Sequence, residues 1–211
     1  SNLFSIPEPN NAYMVAPEDS GYINVATNYW GTTNATVIRD KIFDVSVDPR
    51  KDYLNFSPYL SDADLTAMEL SENADFVFQS GATMSGSHTI DRVMVVPLEA
   101  SVIIGAGTTI HFSGSPSAIV VLGELIISGT SQEPVVVTSD AVVNGFMFKK
   151  SALLSSEDKL SGSRISNLQM VGGYVTTRTL QDGQLYIVDS HFTGTELRGN
   201  FNVEFATIIS T

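Results

Sequence analysis

Residues 101–140 read SVIIGAGTTIHFSGSPSAIVVLGELIISGTSQEPVVVTSD. Short apolar runs alternate here with Gly, Ser, Pro and Thr. Val102–Ile104, Thr109–Phe112, Ile119–Leu122, Leu125–Ile127 and Val135–Val137 are the expected strands. β-Branched residues dominate them, and no helical period of about 3.6 runs through the stretch. The strands are too short and too close together for the hairpins of a sandwich. They fit the faces of a coil that turns a corner every few residues. One turn of such a coil cannot bury its apolar side alone, so successive turns must stack.

Within this stretch stand Gly105-Ala106-Gly107-Thr108, then Thr109-Ile110-His111-Phe112. Gly123-Glu124-Leu125 leads to Gly129-Thr130, and Pro134-Val135-Val136-Val137-Thr138-Ser139 follows. These motifs resemble the opening rungs of extracellular right-handed parallel β-helix proteins, the pectate-lyase-like solenoids. The resemblance implies the fold and leaves activity open, since one fold hosts many functions.

Composition narrows the classes. The chain has 211 residues, 43% of them hydrophobic and 16% charged. That is a folded protein with room for one sizeable domain or two small ones. Lys and Arg number 11 against 23 Asp and Glu, a net charge of −12. Such a surface repels a polyanion, which argues against nucleic-acid binding. The absence of cysteine excludes disulfides, thiol chemistry and Cys-ligated zinc. No stretch reaches the roughly 20 apolar residues of a membrane span, and no signal-peptide pattern opens the chain.

Residues 1–20 read as an irregular lead-in with a strand near Tyr13–Val15, and residues 22–27 (YINVAT) as one strand. Asn28-Tyr29-Trp30-Gly31 predicts a tight turn in which Gly31 takes positive φ. A short helix near residues 33–44 follows, with Thr32, Thr33 or Asn34 as cap. Val37, Ile38, Ile42 and Phe43 fall at helical spacing and are expected to face the core. The block closes on Tyr53-Leu54-Asn55-Phe56-Ser57-Pro58-Tyr59-Leu60. Residues 26–60 resemble the segment that finishes a β-helix, and look especially like the β-helix repeats of the Bark beetle (Anakonda) group of animal cell-surface proteins.

A closing block thus precedes an opening block. The expected organisation is a terminating β-helix segment at 1–60, an acidic connector at 61–80, and a second solenoid at 81–211. Beyond 140, Gly145–Lys149, Arg164–Met170, Leu185–Phe192 and Val203–Ile209 continue the coil, with a loop at 151–163. Ile165, Val188 and Phe205 are the expected equivalent positions, and Asn167 and Ser190 the expected polar corner. Parallel crossovers imply a right-handed coil. Neither end carries an evident cap. Both are therefore expected to be interfaces, within a longer protein or between copies.

Candidate chemistry is thin. Asp140, Arg164, Asp182 and Asp189 could share one outer face, as in carbohydrate-active β-helices. Glycosidase action would need two carboxylates about 5–5.5 Å or 6.5–9.5 Å apart. Asp189-Ser190-His191 tempts as a catalytic triplet, but neighbours on a strand point to opposite faces. His88, His111 and His191 show no zinc-ligand spacing. Asp62, Asp64 and Glu69 resemble part of a calcium loop without its Gly or its ligand count, and read as linker. Gly105-Ala106-Gly107 lacks the Lys of a phosphate loop. Trp30 reads as a core plug rather than a sugar platform. Asn34-Ala35-Thr36 and Asn55-Phe56-Ser57 are glycosylation sequons, making Asn34 and Asn55 the candidate acceptors; Pro58 directly after the second disfavours its use, and Asn34, at the start of the helix, is expected to be exposed.

The expectation is an all-β, right-handed parallel β-helix with one short α-helix. Its expected role is that of an extracellular or cell-surface structural module. It stacks head-to-tail on other β-helix modules or on copies of itself, as in a filament or adhesion scaffold. Tyr22, Ile23 and Val25 at one end, and Val203, Phe205 and Ile208 at the other, are the candidate contact residues. No catalytic, cofactor or metal residues are expected. The alternative is a carbohydrate-active or carbohydrate-binding β-helix.

Overall fold

The computed structural model describes residues 14–17, 21–62, 69–70, 76–149, 152–153, 162–177, 184–199 and 201–209. The chain forms two compact units, Ser1–Asp75 and Phe76–Thr211.

The second unit is a parallel β-helix with three faces. Face one stacks Thr83–Met84, Ser101–Gly105, Glu124–Ser128, Arg164–Ser166, Leu185–Val188 and Phe201–Glu204. Face two stacks Ser87–Ile90, Thr109–Phe112, Val135–Ser139, Leu168–Val171, His191–Thr193 and Thr207–Ile209. Face three stacks Val93–Val96, Ala118–Val121, Gly145–Phe148, Tyr174–Thr177 and Glu196–Arg198. Every ladder on these faces is parallel, so each coil lies about 4.8 Å below the last.

The core is a set of aliphatic columns. Met84, Ile104, Ile127, Ile165, Ile187 and Val203 align along face one. Ile110, Val137, Met170, Phe192 and Ile208 align along face two. Phe112 and Phe146 meet edge to face at 5.5 Å inside the coil, a favoured aromatic geometry. The middle of face three is buried on both sides: Val95, Ala118 and Val120 are covered as completely as Ile119 and Phe146, and Met147 nearly so. That explains why its strands read as unbroken apolar runs (VMVV, AIVV, GFMF) without alternation.

Coil equivalences differ from the sequence reading. Ile165 pairs with Ile187 and Ile187 with Val203, not with Val188 and Phe205. Side chains alternate along a strand, so a slip of one residue exchanges inside for outside. Arg164–Met170 is likewise two strands, broken at Asn167. Asn167, Asp189 and Phe205 share the corner between faces one and two, with φ of 48, 49 and 53°. Gly129 lies beneath that corner, and a Cβ there would overlap the Asn167 carbonyl oxygen. Ser190 closes it from within, accepting from the Leu168 N–H at 3.1 Å and donating to the Val188 carbonyl at 2.8 Å.

The first unit carries short parallel pairs, Met14–Val15 with Ile42–Phe43 and Tyr22–Asn24 with Tyr53–Asn55. Tyr59–Leu60 pairs antiparallel with Glu69–Leu70, inside the stretch read as connector. The helix is a single turn, Ala35–Arg39, shorter than the expected 33–44. Ile42–Phe43 forms a strand instead, Val37 points to solvent, and Ile38 and Ile42 are buried. Trp30, Ile38, Leu54, Phe56 and Tyr59 make the core, which places Trp30 as a plug, edge-on to Phe56 at 5.9 Å.

Candidate functional site

A buried ion pair anchors the first unit. Asp44 is fully buried, and its carboxylate accepts from Arg39 at 2.9 Å, from the Leu54 N–H at 3.1 Å, and from the Ser46 N–H and hydroxyl. The Arg39 guanidinium lies 4.7 Å from the Phe56 ring centroid. Every oxygen of Asp44 is committed, so the cluster fastens the helix to the strand at Tyr53–Asn55 and offers nothing to a ligand. Nearby, the Arg50 guanidinium hydrogen-bonded to Asp48 holds that carboxyl below its usual range.

On the second unit, the outer side of face two forms a shallow groove of about 240 Å³. Ser87, His88, Thr89, Thr109, Ile110, His111, Val136 and Thr138 line it. The residues come from three successive coils. Thr109 donates to the Ser87 hydroxyl at 2.8 Å. His111 Nδ1 lies 2.9 Å from Thr138 Oγ1, and its Nε2 lies 3.3 Å from Asp140 Oδ2. A proton on Nε2 faces Asp140 and leaves Nδ1 to accept from the Thr138 hydroxyl.

Hydroxyl, imidazole and carboxylate in series resemble a nucleophile relay, but the surroundings do not support acyl transfer. His111 and Asp140 are widely exposed, so water screens the pair. The strands bearing His111 and Thr138 each pair on both sides. Their main-chain N–H groups therefore serve the ladder and cannot form an oxyanion hole. The groove presents hydroxyl and imidazole groups beside the apolar Ile110 and Val136.

The structure scatters the other sequence candidates. Asp140 directly follows a face-two strand, Arg164 lies on face one, and Asp189 turns a corner. Asp182 and Asp64 lie outside the described residues. His88, His111 and His191 sit on the first, second and fifth coils. Among the described residues no group of three His, Asp or Glu could hold a metal ion. Ser190 is buried and spent within its corner, so Asp189-Ser190-His191 forms no nucleophilic triad. Gly105-Ala106-Gly107 is a coil corner, with Gly107 at φ 71°.

The contact candidates fall into two groups. Tyr22, Ile23 and Val25 are half-buried within the first unit. Tyr22 accepts from Asn55 Nδ2 at 3.1 Å, Ile23 pairs with Leu54, and Val25 packs on the Trp30 cluster. Val203, Phe205 and Ile208 are 39%, 87% and 52% exposed on the last described coil. Sequence reading did not find the groove, because its neighbours are 22 and 27 residues apart and meet only once the register is known.

Fold and surface together define a parallel β-helix. No family model, curated protein or solved structure matches the chain. No helix among the described residues is long and apolar enough to cross a membrane.

Proposed function

We propose that the chain is a structural and interaction module of the extracellular β-helix kind, in which a further β-helical coil, from an adjacent module of one chain or from another copy, covers the edge strands Phe201–Glu204 and Thr207–Ile209. The Bark beetle type of cell-surface β-helix is the resemblance this reading follows. One observation carries it. Val203 and Ile208 continue columns in which Ile187 and Phe192 are completely buried, yet they are themselves 39% and 52% exposed. A strand there gains ladder hydrogen bonds and covers both side chains, which is strand addition.

Phe205 supports the same reading. It takes φ 53° at a corner where the two preceding coils use Asn167 and Asp189, residues that tolerate that conformation. An aromatic side chain in a strained, 87% exposed position is costly for an isolated coil and useful to an interface. The opposite edge of the unit is unlike it. Phe78 and Ala82 pack against the core there, and Met84 and Ile90 are buried. The filament version of the reading needs a second such edge.

Sedimentation velocity across a hundredfold range of concentration tests this. Association that is weakened by a double Val203→Asp, Ile208→Asp substitution supports the reading. A monomer at all concentrations, together with no binding to a β-helical module offered in trans, removes it.

A further inference from the structure

We propose that Asn34 is an N-glycan acceptor when the chain passes through a eukaryotic secretory pathway, and that Asn55, the other sequon, is excluded in the folded protein. This inference does not rest on the stacking reading. It rests on how the two amides are used.

Asn34 and Thr36 are both exposed. The Asn34 Oδ1 caps the helical turn, accepting from the Thr36 and Val37 N–H groups at 3.0 and 3.4 Å. Its Nδ2 has no hydrogen-bond partner among the described residues and faces solvent. A glycan on Nδ2 leaves the carbonyl oxygen, and hence the cap, unchanged. Bulk attached there meets only water, as an N-glycan requires.

Asn55 is the opposite case. Its Nδ2 donates to Tyr22 Oη at 3.1 Å, and its Oδ1 accepts from the Ser57 N–H at 3.2 Å. Phe56, the middle residue of the sequon, is fully buried under Trp30 and Tyr59. Asn55 itself pairs with Asn24 in the parallel ladder. A sugar on Asn55 would take one of the two Nδ2 protons and place its bulk beside Tyr22 and that strand pair.

The chemistry is a nitrogen-for-oxygen substitution at the anomeric carbon of a lipid diphosphate-linked oligosaccharide. The Nδ2–C bond forms, the C–O bond to the diphosphate breaks, Nδ2 gives up one proton to the transferase base, and the lipid diphosphate leaves.

The test is secretion of the full chain from cultured animal cells, followed by peptide-N-glycosidase release in heavy-oxygen water and peptide mapping. Label on the Asn34 peptide and none on the Asn55 peptide is the expected result. Asn34→Gln should abolish the glycan mobility shift, while Asn55→Gln leaves it whole. Cell-free translation with microsomes reads occupancy even for a variant that is not secreted. An unmodified Asn34 in both systems, or Asn55 occupied in secreted protein, overturns the proposal.

Discussion

Ile187 and Val203 are direct partners in one parallel ladder, yet Ile187 is completely buried and Val203 is 39% exposed. The two side chains differ little, so the contrast belongs to position. Ile187 has a coil on each side, and Val203 has one among the described residues.

Substitutions at this pair should therefore separate folding from association. Ile187→Asp is expected to unfold the second unit, because it buries an unpaired charge costing several kcal/mol. Val203→Asp should shift the denaturation midpoint by less than about 1 kcal/mol while weakening self-association or binding in trans. Far-ultraviolet circular dichroism in urea reads the first effect, and sedimentation reads the second.

Phe205→Asn should stabilise the isolated protein by about 0.5–1 kcal/mol, since Asn accepts the left-handed backbone conformation more readily than Phe. The same change should reduce association if the ring serves the contact. A variant that is destabilised and associates normally would contradict both halves of this expectation.

Trp30 is the only tryptophan, so its fluorescence reports the first unit alone. Asp44→Ala removes the carboxylate that Arg39, Ser46 and the Leu54 N–H all donate to. A loss of about 3–5 kcal/mol is expected, seen as an early Trp30 transition with the circular dichroism of the second unit retained. Asp48→Ala removes a pair whose Arg50 partner is 66% exposed, and should cost about 1 kcal/mol or less.

Asp48 also sets a direction for pH. Its folded-state pKa is depressed, chiefly by the hydrogen bond from Arg50. Its contribution is therefore present above the unfolded value, about 3.9, and fades as pH falls through the lower folded value. Asp48→Asn should narrow the difference in Trp30 midpoint between pH 7 and pH 3 by a fraction of a kcal/mol. An unchanged or widened difference would count against the pair.

Gly145 has φ of 144°, and a Cβ on it would overlap the Tyr174 carbonyl oxygen of the next coil. Gly145→Ala is expected to cost on the order of 3 kcal/mol, because main chain must shift. Gly81, at φ 80° with open space around it, should cost only about 1 kcal/mol as alanine, from conformational strain. Urea denaturation compares the two directly.

The stretch from 101 to 140 determined a good deal by itself. Short runs of β-branched residues closed by polar corners specify short strands, which bury their apolar sides by stacking. Thr32, Thr33 and Asn34 likewise announced a helix start, of which the structure uses Asn34 as the cap, and Gly31 a positive-φ turn, because capping and backbone freedom are local properties. Tertiary structure decided the rest. The alignment of Ile165, Ile187 and Val203 depended on a register that loops of unequal length concealed. The grouping of His111, Thr138 and Asp140, the engagement of Asn55 by Tyr22, and the exposure of Val203 and Ile208 all arise from which coil lies beside which. A residue's identity sets what it can bond to, whereas its neighbours across coils are chosen by the ladder, and no local pattern encodes that choice.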